Sequence, residues 1–357
     1  MITEAKILVC YNSPVSIYSI YNGKPADLFS DSKDLSDHLF ASQITEIESK
    51  LKKYFSEVKT LAVDKNIKRA IKEITFYNPD AILNFVESVE GISYYEHYIA
   101  GLYELLGYHY TGNIPQTLGN CLNKDRAKEI LHSHGIKTPR AVTLKPQKKH
   151  ISKYINLNYP LIIKIVDEDA SIGISENSVV YNFTELKKHY DFLSDNYNKS
   201  LIVEEYIEGR ELSCAVLGGK ILPVSEIDFT GLPDNLPKIV TYDGKWIEGS
   251  TYYNFTKPVC PAKIDADVKK IIEETAIRAY KVLNCRDYAR VDLRLSEDGT
   301  PYVIEINPNP DVSSDSGFAR AAAATGKKYS DLLFTITRFA LQRKNNDKKN
   351  KAVTSPS

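Results

Sequence analysis

Two neighbouring strands are predicted by RVDLRL at residues 290–295 and by YVIEIN at residues 302–307. Apolar and polar residues alternate in both segments, which is the period of a half-buried strand. Residues 297–300 between them are Glu-Asp-Gly-Thr, a turn-forming sequence, so we expect an antiparallel hairpin. Strict alternation places Val303 on the same face as Glu305.

The polar face of this hairpin carries two carboxylates. Antiparallel register sets Asp292 opposite Glu305 and Arg290 opposite Asn307. Like charges directly opposite each other are destabilising unless a cation lies between them, and carboxylate and amide oxygens suit Mg²⁺. Two interpretations stay open from these residues alone. Either Asp292, Glu305 and Asn307 form a magnesium site, or the face is solvated and Arg290 and Arg294 neutralise the acids.

The composition points to small-molecule chemistry. The 357 residues suffice for two or three structural units, since single cores rarely grow past about 250 to 300 residues. Lys plus Arg and Asp plus Glu are equal at 46 each, so no net field attracts nucleic acid or an anionic membrane. Five widely spaced cysteines without a C-x-x-C pair predict reduced thiols and a cytoplasmic location. A homodimer is the default expectation for the oligomer.

The pattern of apolar residues divides the chain into three lobes and a tail. Strands and helices alternate in residues 1–119, which predicts a parallel α/β domain. Residues 120–209 form a smaller central unit, and longer antiparallel strands, one of them at 239–247, are predicted in residues 210–343. Residues 344–357 are rich in Lys, Asn and Ser, which predicts a disordered tail. The expected fold class is therefore α/β combined with α+β.

Several polar residues stand where an anionic ligand would explain them. Lys164 lies inside the apolar strand PLIIKIV, where an unpaired ammonium is costly to bury, so we expect an anionic partner. The alternative is an edge strand whose lysine reaches water. Ser171-Ile172-Gly173 follows, a turn whose N–H groups would cover phosphates. Lys124 and the acids within 204–211 have surface positions as their simplest interpretation.

Taken in order, these pieces resemble the ATP-grasp superfamily, and within it the D-alanine-D-alanine ligase family. The resemblance runs from about Leu83 to Leu333. Its segments are GYHYTG at 107–112, Asn123-Lys124, the Lys164 strand with its loop, EEYIEGRE at 204–211, YDGKW at 242–246, RVD at 290–292 and EIN at 305–307. The resemblance implies an ATP-grasp fold in which ATP lies between two α+β subdomains.

The resemblance also implies the roles of individual residues. By this resemblance, the phosphates of ATP are contacted by Lys124, Lys164 and Lys245. Its adenine and ribose are contacted by Glu204, Glu205, Tyr206, Ile207 and Glu211. Two Mg²⁺ ions, or Mn²⁺, are held by Asp292, Glu305 and Asn307. Catalytic roles are assigned to Arg290, Lys245 and Ser171, and the carboxylate of the second amino acid to Ser316 and Gly317.

The chain departs from the family at the end that receives the first substrate. The family has a glutamate after the first strand, where this chain has Tyr11–Val15, and a histidine that 84–88 lacks. It also has paired serines in the phosphate loop and a tyrosine in the lid, where this chain has Ala170 before Ser171 and Trp246. We therefore expect a donor other than D-alanine.

An acid of this region is a candidate for holding the ammonium of the donor. The candidates are Glu87, Glu96 and the run Asp167-Glu168-Asp169, and the alternative for each is a solvated surface carboxylate. The leading hypothesis is an ATP- and Mg²⁺-dependent carboxylate-amine ligase that joins small amino-acid-like substrates through an acyl phosphate, releasing ADP and phosphate. The alternatives are a divergent D-alanine-D-alanine ligase of cell-wall synthesis and a non-catalytic ATP-binding protein.

Overall fold

A parallel sheet forms the N-terminal part of the chain, as the sequence predicted. The computed structural model describes residues 2–25 and 33–354. Strands β1 (Thr3–Asn12), β2 (Phe55–Val63) and β3 (Ala81–Phe85) lie in the order β2-β1-β3, all parallel. Every residue of β3 is buried, as expected for a parallel strand covered on both faces. The helices of the first 133 residues are α1 (Leu35–Leu51), α2 (Ile67–Tyr77), α3 (Glu96–Leu105), α4 (Pro115–Leu122) and α5 (Lys124–Ser133), of which α5 follows the expected boundary near residue 120.

Two antiparallel sheets follow. The first has the order β4-β7-β5-β6 and is covered by helix α6 (Phe183–Tyr197). Its strands are β4 (Ala141–Leu144), β5 (Leu161–Ile165), β6 (Val179–Val180) and β7 (Leu201–Glu205). The second has the order β11-β10-β8-β12-β13, with β9 paired to β8, and helix α9 (Ala266–Val282) packs on it. Its strands are β8 (Arg210–Leu217), β9 (Lys220–Ile221), β10 (Ser225–Asp228), β11 (Lys257–Val259), β12 (Tyr288–Leu295) and β13 (Pro301–Asn307).

The β12–β13 hairpin has the predicted register at its polar end and a bulge near its middle. Asp292 pairs with Glu305, and Arg290 pairs with Asn307. The register then shifts, because Leu293 pairs with Val303. Val303 is fully buried in the core under α9, so its predicted position on the face of Glu305 is wrong. The extra residue of a bulge reverses the alternation of side chains, which a strict two-residue period cannot anticipate.

Residues 239–247 do not form the predicted strand. They include a short helix, α7 (Tyr242–Trp246), which is followed by α8 (Thr251–Phe255). The hydroxyl of Thr241 accepts a hydrogen bond from the N–H of Gly244 at 3.0 Å and so caps α7. This local cap outweighs the strand preference of the neighbouring apolar residues.

The chain ends in helices that return to the N-terminal sheet. After α10 (Gly317–Ala323), helix α11 runs over Tyr329–Thr354. Its residues Leu332, Leu333 and Ile336 share one core with Ile7 and Leu83. The predicted tail is therefore wrong for residues 344–354, while residues 355–357 lie outside the described residues. We keep domain boundaries near residues 120 and 209 as a proposal, since each sheet falls within one of these intervals.

Candidate active site

A cavity of about 770 Å³ lies where the three sheets meet. Asp167 of the acidic run does not line it, whereas every residue of the expected catalytic, nucleotide, metal and acceptor sets lines it, as does Glu87. These are Glu87, Lys124, Lys164, Ser171, Glu204, Glu205, Tyr206, Ile207, Glu211, Lys245, Arg290, Asp292, Glu305, Asn307, Ser316 and Gly317. Residues separated by as many as 230 positions are thus brought to one space, which no local property of the sequence requires.

The hairpin contributes the acidic floor of this cavity. Asp292 accepts hydrogen bonds from Nε and Nη2 of Arg290, both at 2.9 Å, and from Nδ2 of Asn307 at 3.0 Å. The hydroxyl of Ser213, which is paired with Asp292 on β8, donates to the same carboxylate at 2.5 Å. Glu305 lies 3.1 Å from Nζ of Lys124. Each carboxylate therefore has a cation of the protein itself as its neighbour.

The cations around Glu305 determine its charge. Burial alone would raise the pKa of Glu305, but the ammonium groups of Lys124, Lys164 and Lys245 outweigh it and lower the pKa to about 2. Burial would lower the pKa of Lys124, and Glu305 with Asp169 raises it instead. The pKa of Lys245 is lowered by burial and by the nearby Arg290. Positive charge from three lysines thus surrounds an ionised Glu305.

The floor has the donors that a magnesium ion requires. Asp292 and Glu305 supply carboxylate oxygens, and the amide of Asn307 supplies a further oxygen once its orientation is reversed. Among the described residues, no group of three or more His, Cys, Asp or Glu side chains is placed to hold a metal. A site with two carboxylates fits Mg²⁺ that takes its remaining ligands from substrate phosphates and water. The residues present therefore fit the ion.

Lys164 has the anionic partner that its burial predicted, but that partner belongs to the protein. Its Nζ lies 3.0 Å from Oε2 of Glu204, and Nζ of Lys128 lies 3.2 Å from the other oxygen of Glu204. The Glu204 carboxylate therefore positions two lysines, although the residue also lines the cavity. Sequence reasoning missed Lys128. The available signal was its spacing, because a residue four positions after Lys124 shares the same face of α5.

The wall expected to hold adenine and ribose is built on a second ion pair. Nη2 of Arg294 lies 2.8 Å from Oε2 of Glu211, and the Arg294 guanidinium lies over the ring of Tyr206. Arg294 therefore neutralises Glu211, a different acid from those of the hairpin face. The side chain of Glu205 accepts hydrogen bonds from Arg140 and Asn158.

The loop of residues 167–175 differs from the expectation in how its backbone is used. The N–H groups of Ile172, Gly173 and Ile174 donate to the carbonyls of Asp169, Tyr21 and Ser171, at distances of 3.0, 2.7 and 3.0 Å. The hydroxyl of Ser171 donates to the carbonyl of Val240 at 3.0 Å. In the expected phosphate-covering turn Ser171-Ile172-Gly173, the N–H groups of Ile172 and Gly173 thus already have acceptors within the protein.

Substrate-side acids differ sharply in their partners. Within the acidic run, Glu168 pairs with Lys199 and accepts from Tyr18, and Asp169 lies 3.6 Å from Lys124. Asp167 lies 3.3 Å from Lys199. Glu96 accepts from Asn309 at 3.0 Å. Within the described part of the chain, the carboxylate of Glu87 has no hydrogen-bond or ion-pair partner.

Comparisons with known proteins agree with this geometry. The family model for the C-terminal domain of D-alanine-D-alanine ligases matches residues 130–338. D-alanine-D-alanine ligase A of Bacillus cereus is 30% identical over 250 residues, which cover 70% of this chain and 77% of that protein. The chain belongs to the D-alanine-D-alanine ligase family. It is thus an ADP-forming ligase of the ATP-grasp class that uses ATP.

Two further relatives of this family member span a similar or larger share of the chain. An uncharacterised protein of Sinorhizobium fredii is 30% identical over 267 residues, 73% of this chain and 75% of its own length. A solved D-alanine-D-alanine ligase of Bacillus anthracis, complexed with ATP, has a TM-score of 0.73 and 23% identity. The alignment covers 97% of this chain and 100% of that structure, so the ATP-grasp fold extends over the whole ligase. None of the ligase's helices in the described ranges has the length and apolar character needed to cross a membrane.

Proposed function

We propose that the protein is a Mg²⁺-dependent carboxylate-amine ligase that joins small amino-acid-like substrates through an acyl phosphate. One observation carries this proposal. Three lysines and Arg290 converge with the carboxylates of Asp292 and Glu305 on a single cavity large enough for a nucleotide and two small substrates. A site that only bound ATP would gain nothing from an arginine placed beside the acidic floor, where charge develops during phosphoryl transfer.

The reaction balances without a covalent intermediate on the protein. An oxygen of the donor carboxylate bonds to the γ-phosphorus as the bond to the β-γ bridging oxygen breaks, which gives an acyl phosphate and ADP. The nitrogen of the acceptor amine then bonds to the acyl carbon, phosphate leaves with the electrons of the C–O bond, and the nitrogen loses a proton. The products are an amide, ADP and phosphate.

The protein contributes charge and position to these steps. Lys124, Lys164 and Lys245 bind the phosphates, and Arg290 stabilises the negative charge that develops on the transferring group and on the tetrahedral intermediate. Two of the Arg290 nitrogens bond Asp292, which fixes the direction of the guanidinium. Mg²⁺ bound by Asp292, Glu305 and Asn307 would neutralise the triphosphate.

Glu87 is our candidate for the ammonium of the donor. It is the acid of this wall that the described residues leave unpaired, whereas the run at 167–169 is neutralised by Lys199 and Lys124. Ser316 and Gly317, where α10 begins, lie on the same cavity and are our candidates for the acceptor carboxylate. Because the family's own donor residues are absent, we propose a donor other than D-alanine.

Phosphate release from Mg-ATP with pools of amino acids tests the proposal, with hydroxylamine added to trap an acyl phosphate as a hydroxamate. Asp292→Asn and Glu305→Gln should each lower the rate by at least about 100-fold, since each removes a charged group from the reacting centre. Asp267→Asn, an exposed acid on α9, should leave the rate unchanged. Wild-type rates in both site variants would refute the assignment of the floor.

A divergent D-alanine-D-alanine ligase is the second candidate, favoured by the similarity to the Bacillus cereus enzyme of that name. Turnover with D-alanine alone would support it over the leading proposal. ATP binding without any turnover would support a non-catalytic protein.

We also propose a homodimer, which sedimentation of the purified chain tests. A cytoplasmic location is proposed because all five cysteines are free thiols.

A further inference from the structure

A strap formed by residues 16–24, between β1 and α1, runs from the N-terminal sheet to two walls of the cavity, the 167–175 loop and α7. Its Ile17 and Tyr18 line the cavity. The carbonyl of Tyr21 accepts the hydrogen bond from Gly173 in the 167–175 loop, and the carbonyl of Gly23 accepts from the Ser175 hydroxyl at 3.2 Å. The strap is thus bonded directly to the loop next to the proposed phosphate site.

The strap lies against this loop without room for a side chain. Gly23 has a φ of +67°, and a Cβ at this position would stand 2.3 Å from the carbonyl oxygen of Gly173. Real Cβ atoms do not approach an oxygen so closely, so the contact depends on glycine. Backbone packing of this kind holds the two segments at a fixed distance.

Lys24 joins the loop to the segment that carries Lys245. Its Nζ lies 2.7 Å from Oδ2 of Asp243 in α7 and 2.8 Å from Oε2 of Glu176, the residue after the loop. The three side chains are 27%, 13% and 32% exposed, so water screens the ion pairs only partly. Without Lys24, the two carboxylates would face each other unpaired and would repel.

Neutral hydrogen bonds connect the same two walls. The N–H of Tyr242 donates to the carbonyl of Ile174 at 3.0 Å, and Nε1 of Trp246 donates to the carbonyl of Ala170 at 3.0 Å. These bonds bring the loop and α7 together, but they do not reach the N-terminal sheet. Lys24 adds an ionic connection to the strap, beside the bonds to the Tyr21 and Gly23 carbonyls and the hydrogen bond that the Tyr242 hydroxyl accepts from the N–H of Leu35 at 3.2 Å.

We propose that Lys24 is a positioning residue that holds the 167–175 loop and α7 closed over ATP. Closure places Lys245 of α7 opposite Lys124 and Lys164, and it excludes water that would hydrolyse an acyl phosphate. Because the strap also lines the cavity, closing the nucleotide site also completes the wall beside the substrates. This inference rests on the proposed function for its kinetic consequences only.

Kinetics of Lys24→Met test the role. We expect the KM for ATP to rise about tenfold and phosphate release to exceed amide formation, since water now reaches the intermediate. Lys24→Arg keeps the charge and should recover most of the ATP affinity. Lys187→Met, which removes a solvent-exposed lysine paired with Asp191 on α6, is the matched control and should behave as wild type. The proposal would be overturned if Lys24→Met had the wild-type KM for ATP and the wild-type ratio of phosphate release to amide formation.

Hydrogen exchange gives a readout that does not depend on turnover. In the ligand-free protein, Lys24→Met should speed exchange of the Gly173 and Tyr242 amides, and Asp243→Asn should do the same. The double variant should exchange no faster than Lys24→Met alone, because Lys24→Met already removes the ion pair that Asp243→Asn removes. If the two substitutions increase the exchange rates additively, or if Lys24→Met exchanges at the wild-type rate, Lys24 does not hold the loop and α7 together. If the wild type has no turnover but the Gly173 and Tyr242 amides exchange faster in Lys24→Met, the proposed function is wrong and the positioning role of Lys24 is still supported.

Discussion

Glu87 shows how one unpaired residue carries a substrate prediction. Its side chain is exposed at the wall of the cavity, and its pKa is raised above the usual value for a glutamate by partial desolvation inside the cavity and by the nearby Asp311, Glu96 and Asp37. Asp37 is itself affected, because burial and the charges of Asp34 and Glu168 raise its pKa to about 7. Crowded carboxylates of this kind favour a positively charged ligand, whose ammonium relieves their repulsion.

We predict that Glu87→Gln raises the KM for the donor by about tenfold or more and changes its dependence on pH. The carboxyl of Glu87 must ionise to attract an ammonium, so in the wild type the donor KM should fall as pH rises towards the raised pKa. The glutamine variant cannot ionise and should lose this dependence. Glu90→Gln, three residues on and outside the cavity, is the control. An unchanged donor KM in Glu87→Gln would exclude this role.

At the scale of single residues, the sequence is informative where the pairing is local. Asp292 and Glu305 could be placed opposite each other because a short turn fixes their register. Glu204 could not be assigned to Lys164 and Lys128 from sequence, since this contact joins β7, β5 and α5 across the fold. The family resemblance predicted that Glu204 lies at the cavity, but only the structure shows that its carboxylate forms ion pairs with Lys164 and Lys128.

The link between β7 and β8 is the element on which the nucleotide wall depends. Gly209, immediately before β8, has a φ of +132° and lies so close to β12 that a Cβ would stand 2.0 Å from the carbonyl oxygen of Leu295. The carbonyl of Gly209 also accepts from Arg294, the partner of Glu211. A side chain here would therefore displace the backbone that positions Glu204–Ile207.

We predict that Gly209→Ala destabilises the protein by about 4 kcal/mol or more, measured as the free energy of unfolding in urea. Gly135→Ala is the matched control. Gly135 also has a positive φ, of +66°, but its Cβ would meet no atom within 4 Å, so the variant should cost only about 1–2 kcal/mol of backbone strain. Equal losses in the two variants would show that the contact with Leu295 is not limiting.

Elements with a clear period were predicted well, and those set by one local contact were not. The three parallel strands of residues 1–119 follow from apolar spacing. Helix α7 was predicted as a strand because its cap, the Thr241 side chain, lies outside the apolar pattern. The bulge at Ile304, between Val303 and Glu305, was not predicted either, because one unpaired residue leaves the apolar composition of the strand unchanged.

On the scale of the whole molecule, α11 joins the end of the chain to its beginning. Residues of this helix share a core with β1 and β3, and Arg343 bonds Asp287 through two nitrogens. Asp287 is 7% exposed and also accepts from the N–H of Gly112 at 3.0 Å. A sequence-based division into consecutive lobes misses this return, because composition does not reveal which sheet a distant helix covers.

We predict that Arg343→Leu destabilises the protein by about 3 kcal/mol, because it leaves the buried Asp287 carboxylate without its cation. Deleting residues 345–357 should cost much less. The deletion keeps Arg343 and Lys344 and removes the ion pair of Asp347 with His109, in which Asp347 is 61% exposed. Asp287→Asn combined with Arg343→Leu should recover part of the loss, since the amide carries no charge to compensate. Urea unfolding of the three variants measures these differences. A deletion as costly as Arg343→Leu would place the anchor of α11 beyond residue 344 instead of at the Arg343 pair.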